Sequence, residues 1–305
     1  MRYLFVPVLM LTGIAFLAAP TYAAEPTEAV KSAVVNIYCT YSSGKKTYSS
    51  TGSGVLIGNR GVILTNAHVT LPFLISGKDA KNSKGCVIRT GSPAKDRYTA
   101  DLLYISPTWI KNNTKTVAKN EMRGNGREDF ALLHITGAKE GTLPETFPGL
   151  PFAEVTSLPL VETIELLVSG YPAAHLSYKE VGRALTLQAA TSTVTSVRTF
   201  ERPYHDVVVM SPSEVGSAGV SGGPITRPSG ELVAIATAVG TGSKAEERSL
   251  RAITLAYIDR TLRTNASSSL SSFIAGDLKT RAEHTRNSLT PSLLRSITKA
   301  LLGRS

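Results

Sequence analysis

GSAGVSGGP, residues 216–224, is a run in which nearly every side chain is tiny. Glycine loses more conformational freedom on folding than any other residue. A chain therefore gathers Gly219, Gly222 and Gly223 where the backbone must bend sharply or approach something closely. Two readings meet that requirement. One is a surface turn. The other is a nucleophile loop, which presents Ser221 on a constrained bend and aims neighbouring backbone N–H groups at a developing oxyanion. The rest of the chain decides between them.

A serine hydroxyl is barely ionised near neutral pH and needs a base beside it. Of five histidines, His68 lies in GVILTNAHV, an apolar strand ending in small polar residues that would leave the imidazole at a barrel rim. His134 alternates with Leu132 on a strand, and His175, His205 and His284 fall in loop or tail contexts. A base of this kind needs a buried carboxylate to hold its tautomer and stabilise its protonated form. Asp129 opens the strand EDFALLHI, where Phe130, Leu132 and Leu133 would seal it from water. Alone, such a residue reads as a strand cap, because an acid there is costly without a partner.

Between about Lys31 and Leu255 the chain consists of short runs rich in Val, Ile, Thr and Tyr, separated by Gly, Pro, Asn and Ser. VVNIYCTY, GVLIG, GVILTNAHV, CVIRT, ALLHI, IELLVSGYP, ALTLQAATSTVTSV, HDVVVM and ELVAIATAV all read as strands. Helical periodicity is nearly absent from this stretch, which predicts an all-β fold. Proline-rich TLPETFPGLPFAEVTSLPL at 142–160 reads as a linker between two halves, 30–141 and 161–262, each large enough for its own core.

Together the three stretches are far more specific than any one. TNAHV around His68, EDFALLHI around Asp129 and GVSGGP around Ser221 resemble the trypsin-like, chymotrypsin-fold serine proteases. The chain order His, Asp, Ser matches that family. GSGVLI near Gly54, SGYP near Gly170, and GELVAIATAVG followed by RAITLAYID resemble its bacterial secreted glutamyl-endopeptidase and HtrA-like branches. The resemblance covers about residues 30–262. It implies two antiparallel six-stranded β-barrels, the first carrying His68 and Asp129 and the second Ser221, with a short helical tail after them. It also implies that the N–H groups of Gly219 and Ser221 form an oxyanion hole, and that polypeptides are cleaved through an acyl-enzyme.

The sequence departs from the family in places. Val69 replaces the cysteine that follows the histidine in animal enzymes. Only about 40 residues follow the strands, roughly half of what a PDZ module needs, so none is expected. Relatives that cut after Lys or Arg carry an aspartate six residues before the nucleophile, where this chain has Val215. Glutamate-preferring relatives place a histidine in the pocket strand, where AIATAVG supplies Ala236, Thr237 and Ala238. Val215, Thr237 and Ala238 are therefore expected to shape a pocket for a small or apolar P1 side chain. Competing readings of the whole are a catalytically silent scaffold of the same fold and a hydrolase of esters or other acyl groups.

The first residues have Arg2, an apolar stretch from about Tyr3 to Ala19, and small residues at Thr21, Ala23 and Ala24. This is the layout of a secretory signal over residues 1–23, the alternative being an uncut anchor interrupted by Pro7 and Gly13. A secreted or periplasmic protein is expected. The 33 basic and 23 acidic side chains give a formal net charge of +10. No element interleaves aromatics with clustered arginines, so nucleic acid is not expected as a partner.

Cys39 and Cys86 are the only cysteines. They pair or remain free thiols in an exported chain, and no histidines stand nearby at metal-ligand spacing. No metal or organic cofactor is implied. Beyond YIDRTLRTN, a short helix, residues 263–305 read as a Ser-rich linker and a basic amphipathic tail, with Thr290 as N-cap and Pro291 at the first helical position. Residues 290–305 dock on the protein's own surface or meet an anionic membrane surface or partner.

Overall fold

Strand-forming runs dominate the chain, and among the described residues they close into two antiparallel barrels of six strands. The structure is a computed structural model that describes residues 26–43, 46–75, 85–119, 126–152, 160–239 and 249–295. The leader read at 1–23 and the end of the tail, 296–305, lie outside these residues, as does part of the linker.

The first barrel follows helix α1 (Glu28–Ala33). It comprises β1 (Val34–Ser43), β2 (Lys46–Ile57) and β3 (Val62–Thr65), then helix α2 (Ala67–Ile75), β4 (Gly85–Thr90), β5 (Lys95–Ile105), helix α3 (Pro107–Lys119) and β6 (Ala131–Ala138). The strand order is β1-β2-β3-β6-β5-β4, and β1 pairs with β4 to close it. At that seam Cys39 stands opposite Cys86, and the two are joined as a disulfide. Ile37, Leu56, Ile63, Leu64, Ile88 and Leu133 are buried in this half. Each such side chain contributes roughly 1.5–3 kcal/mol by leaving water.

The second barrel comprises β7 (Glu165–Gly170), helix α4 (Tyr178–Arg183), β8 (Gln188–Arg198), β9 (Val207–Pro212), β10 (Pro224–Thr226), β11 (Leu232–Val239) and β12 (Ser249–Thr254). Its order is β10-β11-β12-β9-β8-β7, closed by β10 on β7. Leu166, Val168, Val208, Met210 and Ile225 fill it. The connection between the barrels is tied to both: Leu150 N donates to Leu56 O at 2.9 Å, and Leu232 N to Pro151 O at 3.0 Å.

Three expectations change. GVILTNAHV is not one strand, because β3 stops at Thr65 and Ala67 opens α2, so His68 stands in the first turn of a helix. The serine-rich stretch after α5 (Leu255–Ala266) is not a linker. It forms α6 (Leu270–Ala275), where Ser269 caps by accepting from Ser272 N at 3.1 Å and buried Asp259 accepts from Leu270 N at 2.7 Å. Serine is a poor interior helix residue but a good cap, which reconciles its abundance with the helix. Thr290 caps no helix start: with helical dihedrals it continues the chain from α7 (Leu278–His284) and a π-turn, Thr285–Leu289, into α-helix over 290–295, and its hydroxyl donates back to Thr285 O at 3.0 Å.

The described part of this tail docks on the first barrel. Thr285 Oγ1 donates to Leu103 O at 2.7 Å, Arg286 pairs with Asp101 at 2.5 Å, and Arg60 donates to the carbonyls of Ile274, Ala275 and Gly276.

Candidate active site

The site is built at the seam between the barrels, from the end of β3, the loop before β6, and the loop before β10. Asn66 makes the break between β3 and α2. Its buried side-chain amide donates to Asp129 O at 2.8 Å, which ties the histidine segment to the acid segment. Asp129 is 7% exposed and accepts three hydrogen bonds. Oδ1 accepts from His68 N at 3.1 Å; Oδ2 faces His68 Nδ1 at 2.8 Å and accepts from Thr237 Oγ1 at 2.9 Å. Such donors make a buried carboxylate tolerable as an anion.

The electrostatics of His68 follow from that contact. Burial alone would push its pKa down, but the charge of Asp129 and the hydrogen bond to it together outweigh burial and raise the value above the ordinary 6.5. The Asp129 contact assigns the Nδ1 proton to the carboxylate side and leaves Nε2 to accept. His134 behaves differently: burial and the Arg60 guanidinium lower its pKa, it lies on β6, and its Nδ1 has no partner among the described residues.

Ser221 is held against the same seam. Ser53 N donates to Ser221 O at 2.8 Å, and Gly222 N donates to Ala236 O at 2.8 Å, one residue before Thr237. A Cβ on Gly222 would lie 2.2 Å from Ser53 O, 2.2 Å from Thr65 Oγ1 and 3.1 Å from Asn66 N. That glycine brings the serine loop onto the strand end that leads into His68. No hydrogen bond joins His68 and Ser221 among the described residues.

The backbone around Ser221 leaves two amides available. Ala218 O accepts from Ala173 N at 2.7 Å, and Val220 O accepts from Gly223 N at 2.8 Å. In a trans peptide the N–H points opposite to the carbonyl, so these two bonds also fix the directions of Gly219 N–H and Ser221 N–H. Among the described residues neither amide donates to the protein. Gly219 has φ +101, and a Cβ there would lie 2.4 Å from Tyr171 O, so glycine is required on both counts.

Of the expected pocket residues, Val215 is buried in the core of the second barrel, and Ala238 lies on β11. Thr237 is buried and its hydroxyl engages Asp129. A bulge explains its direction: pairing between β11 and β12 shifts between Ala236 and Ala238, re-aiming the residue between them.

Two contributors escape a reading of the sequence. Ser53 is fully buried, and beyond its amide bond to Ser221 its hydroxyl donates to Gly219 O at 2.8 Å and accepts from Tyr171 N at 2.9 Å. Asn66 is the other. A small polar residue inside the apolar run GSGVLI and the N in TNAHV were the available signals.

Residues 52–235, more than half of the chain, match the family described as trypsin-like peptidase domain. The chain belongs to the trypsin-like peptidases. Among solved structures it is similar to the HtrA-type protease AlgW with a tripeptide: 20% identity, TM-score 0.50, covering 79% of this chain and 62% of that one. AlgW with a decapeptide matches at 17% identity and TM-score 0.50, covering 77% and 65%. The Rv3671c protease from M. tuberculosis, in its active form, matches at 17% identity and TM-score 0.49, covering 85% and 94%. The chain spans less than two thirds of the length of those AlgW chains. No curated protein matches. Likeness at this level concerns the fold, which is the chymotrypsin-like pair of barrels. Among the described residues no helix is long and apolar enough to cross a membrane, and no cluster of side chains has the makings of a metal site.

Proposed function

We propose that the protein is an exported serine endopeptidase using Ser221, His68 and Asp129. The observation that carries this reading is the 2.8 Å contact between His68 Nδ1 and a buried Asp129 carboxylate, beside a glycine-bound serine loop. Ser221 Oγ attacks the peptide carbonyl carbon as its proton passes to His68 Nε2, and Asp129 stabilises the resulting imidazolium. The link between Ser221 and His68 closes as substrate binds; catalytic hydrogen bonds commonly tighten only in the Michaelis complex. The oxyanion is received by the N–H groups of Gly219 and Ser221. His68 returns the proton to the leaving amine as the C–N bond breaks. Water, activated through His68, then hydrolyses the acyl-enzyme and restores Ser221.

The substrates are polypeptides, consistent with the peptides in the AlgW structures. The small or apolar P1 preference rests on Val215 standing where relatives that cut after Lys or Arg carry an aspartate. The secretory layout of residues 1–23 supports a mature protein in the periplasm or outside the cell.

Labelling the purified mature protein with a fluorophosphonate, followed by mass mapping, tests this directly. The label is expected on the peptide containing Ser221 and is absent from Ser221→Ala. Folded parent protein that takes up no label overturns the proposal in favour of a silent scaffold. Cleavage of esters but not of peptides would assign it to other acyl substrates.

A further inference from the structure

Glu128 adopts a left-handed backbone conformation, φ +56, immediately before Asp129. That region is unfavourable for a residue with a Cβ, and it persists only where surrounding contacts enforce it. Here the contacts come largely from the far end of the chain. Glu128 N donates to Tyr257 Oη at 2.9 Å, and Asn265 Nδ2 donates to Glu128 Oε2 at 3.2 Å; both partners lie on α5, which follows the second barrel. Ser106 Oγ donates to the same carboxylate oxygen and also accepts from Trp109 N, joining the loop to the start of α3.

The conformation of Glu128 governs Asp129 through the backbone. Glu128 O accepts from Phe130 N at 2.9 Å, and Gly126 O accepts from Asp129 N at 3.1 Å, so the acid sits at the apex of a tight turn. The other end of that turn rests on the second barrel too: Gly126 has φ +86, and a Cβ there would lie 3.1 Å from Thr237 Cγ2. Moving residue 128 toward ordinary dihedrals would swing the Asp129 carboxylate away from His68 and Thr237 without altering any atom of the triad.

We infer that Tyr257 and Glu128 are positioning residues for the His68–Asp129 pair, with α5 of the second barrel setting the acid of the first. This rests on the proposed serine-protease reading. Tyr257 is suited to the task, since it is buried and its ring packs against Phe200 at 5.0 Å, which leaves the hydroxyl little freedom. A side chain able to hold left-handed dihedrals should do at 128 what one that resists them cannot.

The test compares Tyr257→Phe, Glu128→Val and Glu128→Asn with the parent. It uses steady-state kinetics and the NMR resonance of the His68 Nδ1 proton, which can be read whether or not the protein turns over substrate. Tyr257→Phe is expected to lower kcat roughly tenfold with KM little changed, the loss of about one net hydrogen bond, and to shift or broaden the Nδ1 signal. Glu128→Val should do the same more strongly, and Glu128→Asn should recover most of the parental rate and signal. If Glu128→Val does not fold, Tyr257→Phe, which removes a single oxygen, decides the matter. A folded Tyr257→Phe with parental kcat and an unchanged Nδ1 resonance overturns the inference and leaves α5 a purely stabilising element. A parent that fails to label at Ser221 instead sinks the protease reading, and the resonance still reports whether α5 sets the pair.

Discussion

Thr237 Oγ1 donates to Asp129 Oδ2, the oxygen that also faces His68 Nδ1, so a strand of the second barrel helps hold the acid of the first. Thr237→Val keeps the shape of the side chain and removes this donor. A hydrogen bond to a charged group is worth roughly 1.5–3 kcal/mol, so kcat/KM is expected to fall about tenfold to a hundredfold. Steady-state assays on a peptide substrate check this. An unaltered rate would show that the amide and imidazole of His68 suffice to hold Asp129.

In the proposed mechanism His68 must be neutral to accept the proton of Ser221, and Asp129 raises its pKa above 6.5. Plots of kcat/KM against pH are therefore expected to rise through an inflection above that value. Asp129→Asn removes the charge, leaves burial unopposed, and should move the inflection below 6.5 while lowering kcat by several orders of magnitude. The sign for stability is opposite. A raised folded-state pKa means that the pair stabilises the fold fully below the unfolded histidine value, and that this contribution disappears as pH rises through the folded value. An inflection that stays in place in the asparagine variant would assign the titration to another group.

Nine of the twelve described strands were legible because their apolar runs are short and well punctuated, whereas β5 opens on the polar KDRYTAD and β10 is only three residues long. The stretches of His68 and Ser221 were legible because each sets a polar side chain among small residues, and that of Asp129 because an acid opens an apolar strand. Positions decided by tertiary geometry were not. His68 looked like a strand end because nothing local marks the turn at Asn66, whose amide bonds to Asp129, 63 residues on. Thr237 lies in an unbroken apolar strand, and only the bulge against β12 turns it toward Asp129. Ser53 serves the Gly219 carbonyl from 166 residues away. The serines after Ala266 read as a linker because composition cannot show that Ser269 will cap a helix whose Leu270 and Phe273 are buried.

Gly222→Ala is expected to abolish activity through the proposed nucleophile loop around Ser221. The added methyl would meet Ser53 O and Thr65 Oγ1 at 2.2 Å, and the residue has φ +85, so neither rotation nor a small shift relieves it. The loop must leave the strand that leads into His68. Fluorophosphonate labelling should drop with activity while circular dichroism still reports the parental β-sheet content. Parental labelling by this variant would mean that the loop tolerates displacement and that its glycine is not required for the reaction.

The disulfide between Cys39 and Cys86 closes the first barrel where β1 meets β4, across a sequence separation of 47. In the chain-entropy description a loop of that size stabilises the fold by roughly 4 kcal/mol. The cysteines pair within a strand ladder that persists without them, from Asn36 opposite Arg89 to Thr40 opposite Gly85. Replacing both by serine should therefore lower the thermal midpoint by on the order of 10 °C and leave the protein folded at room temperature. Because His68, Asp129 and Ser221 stand on other segments, kcat at 25 °C is expected to match the parent. Differential scanning calorimetry with parallel kinetics separates the two effects. A fall in kcat without a fall in the midpoint would show that the bond acts on the site rather than on the barrel.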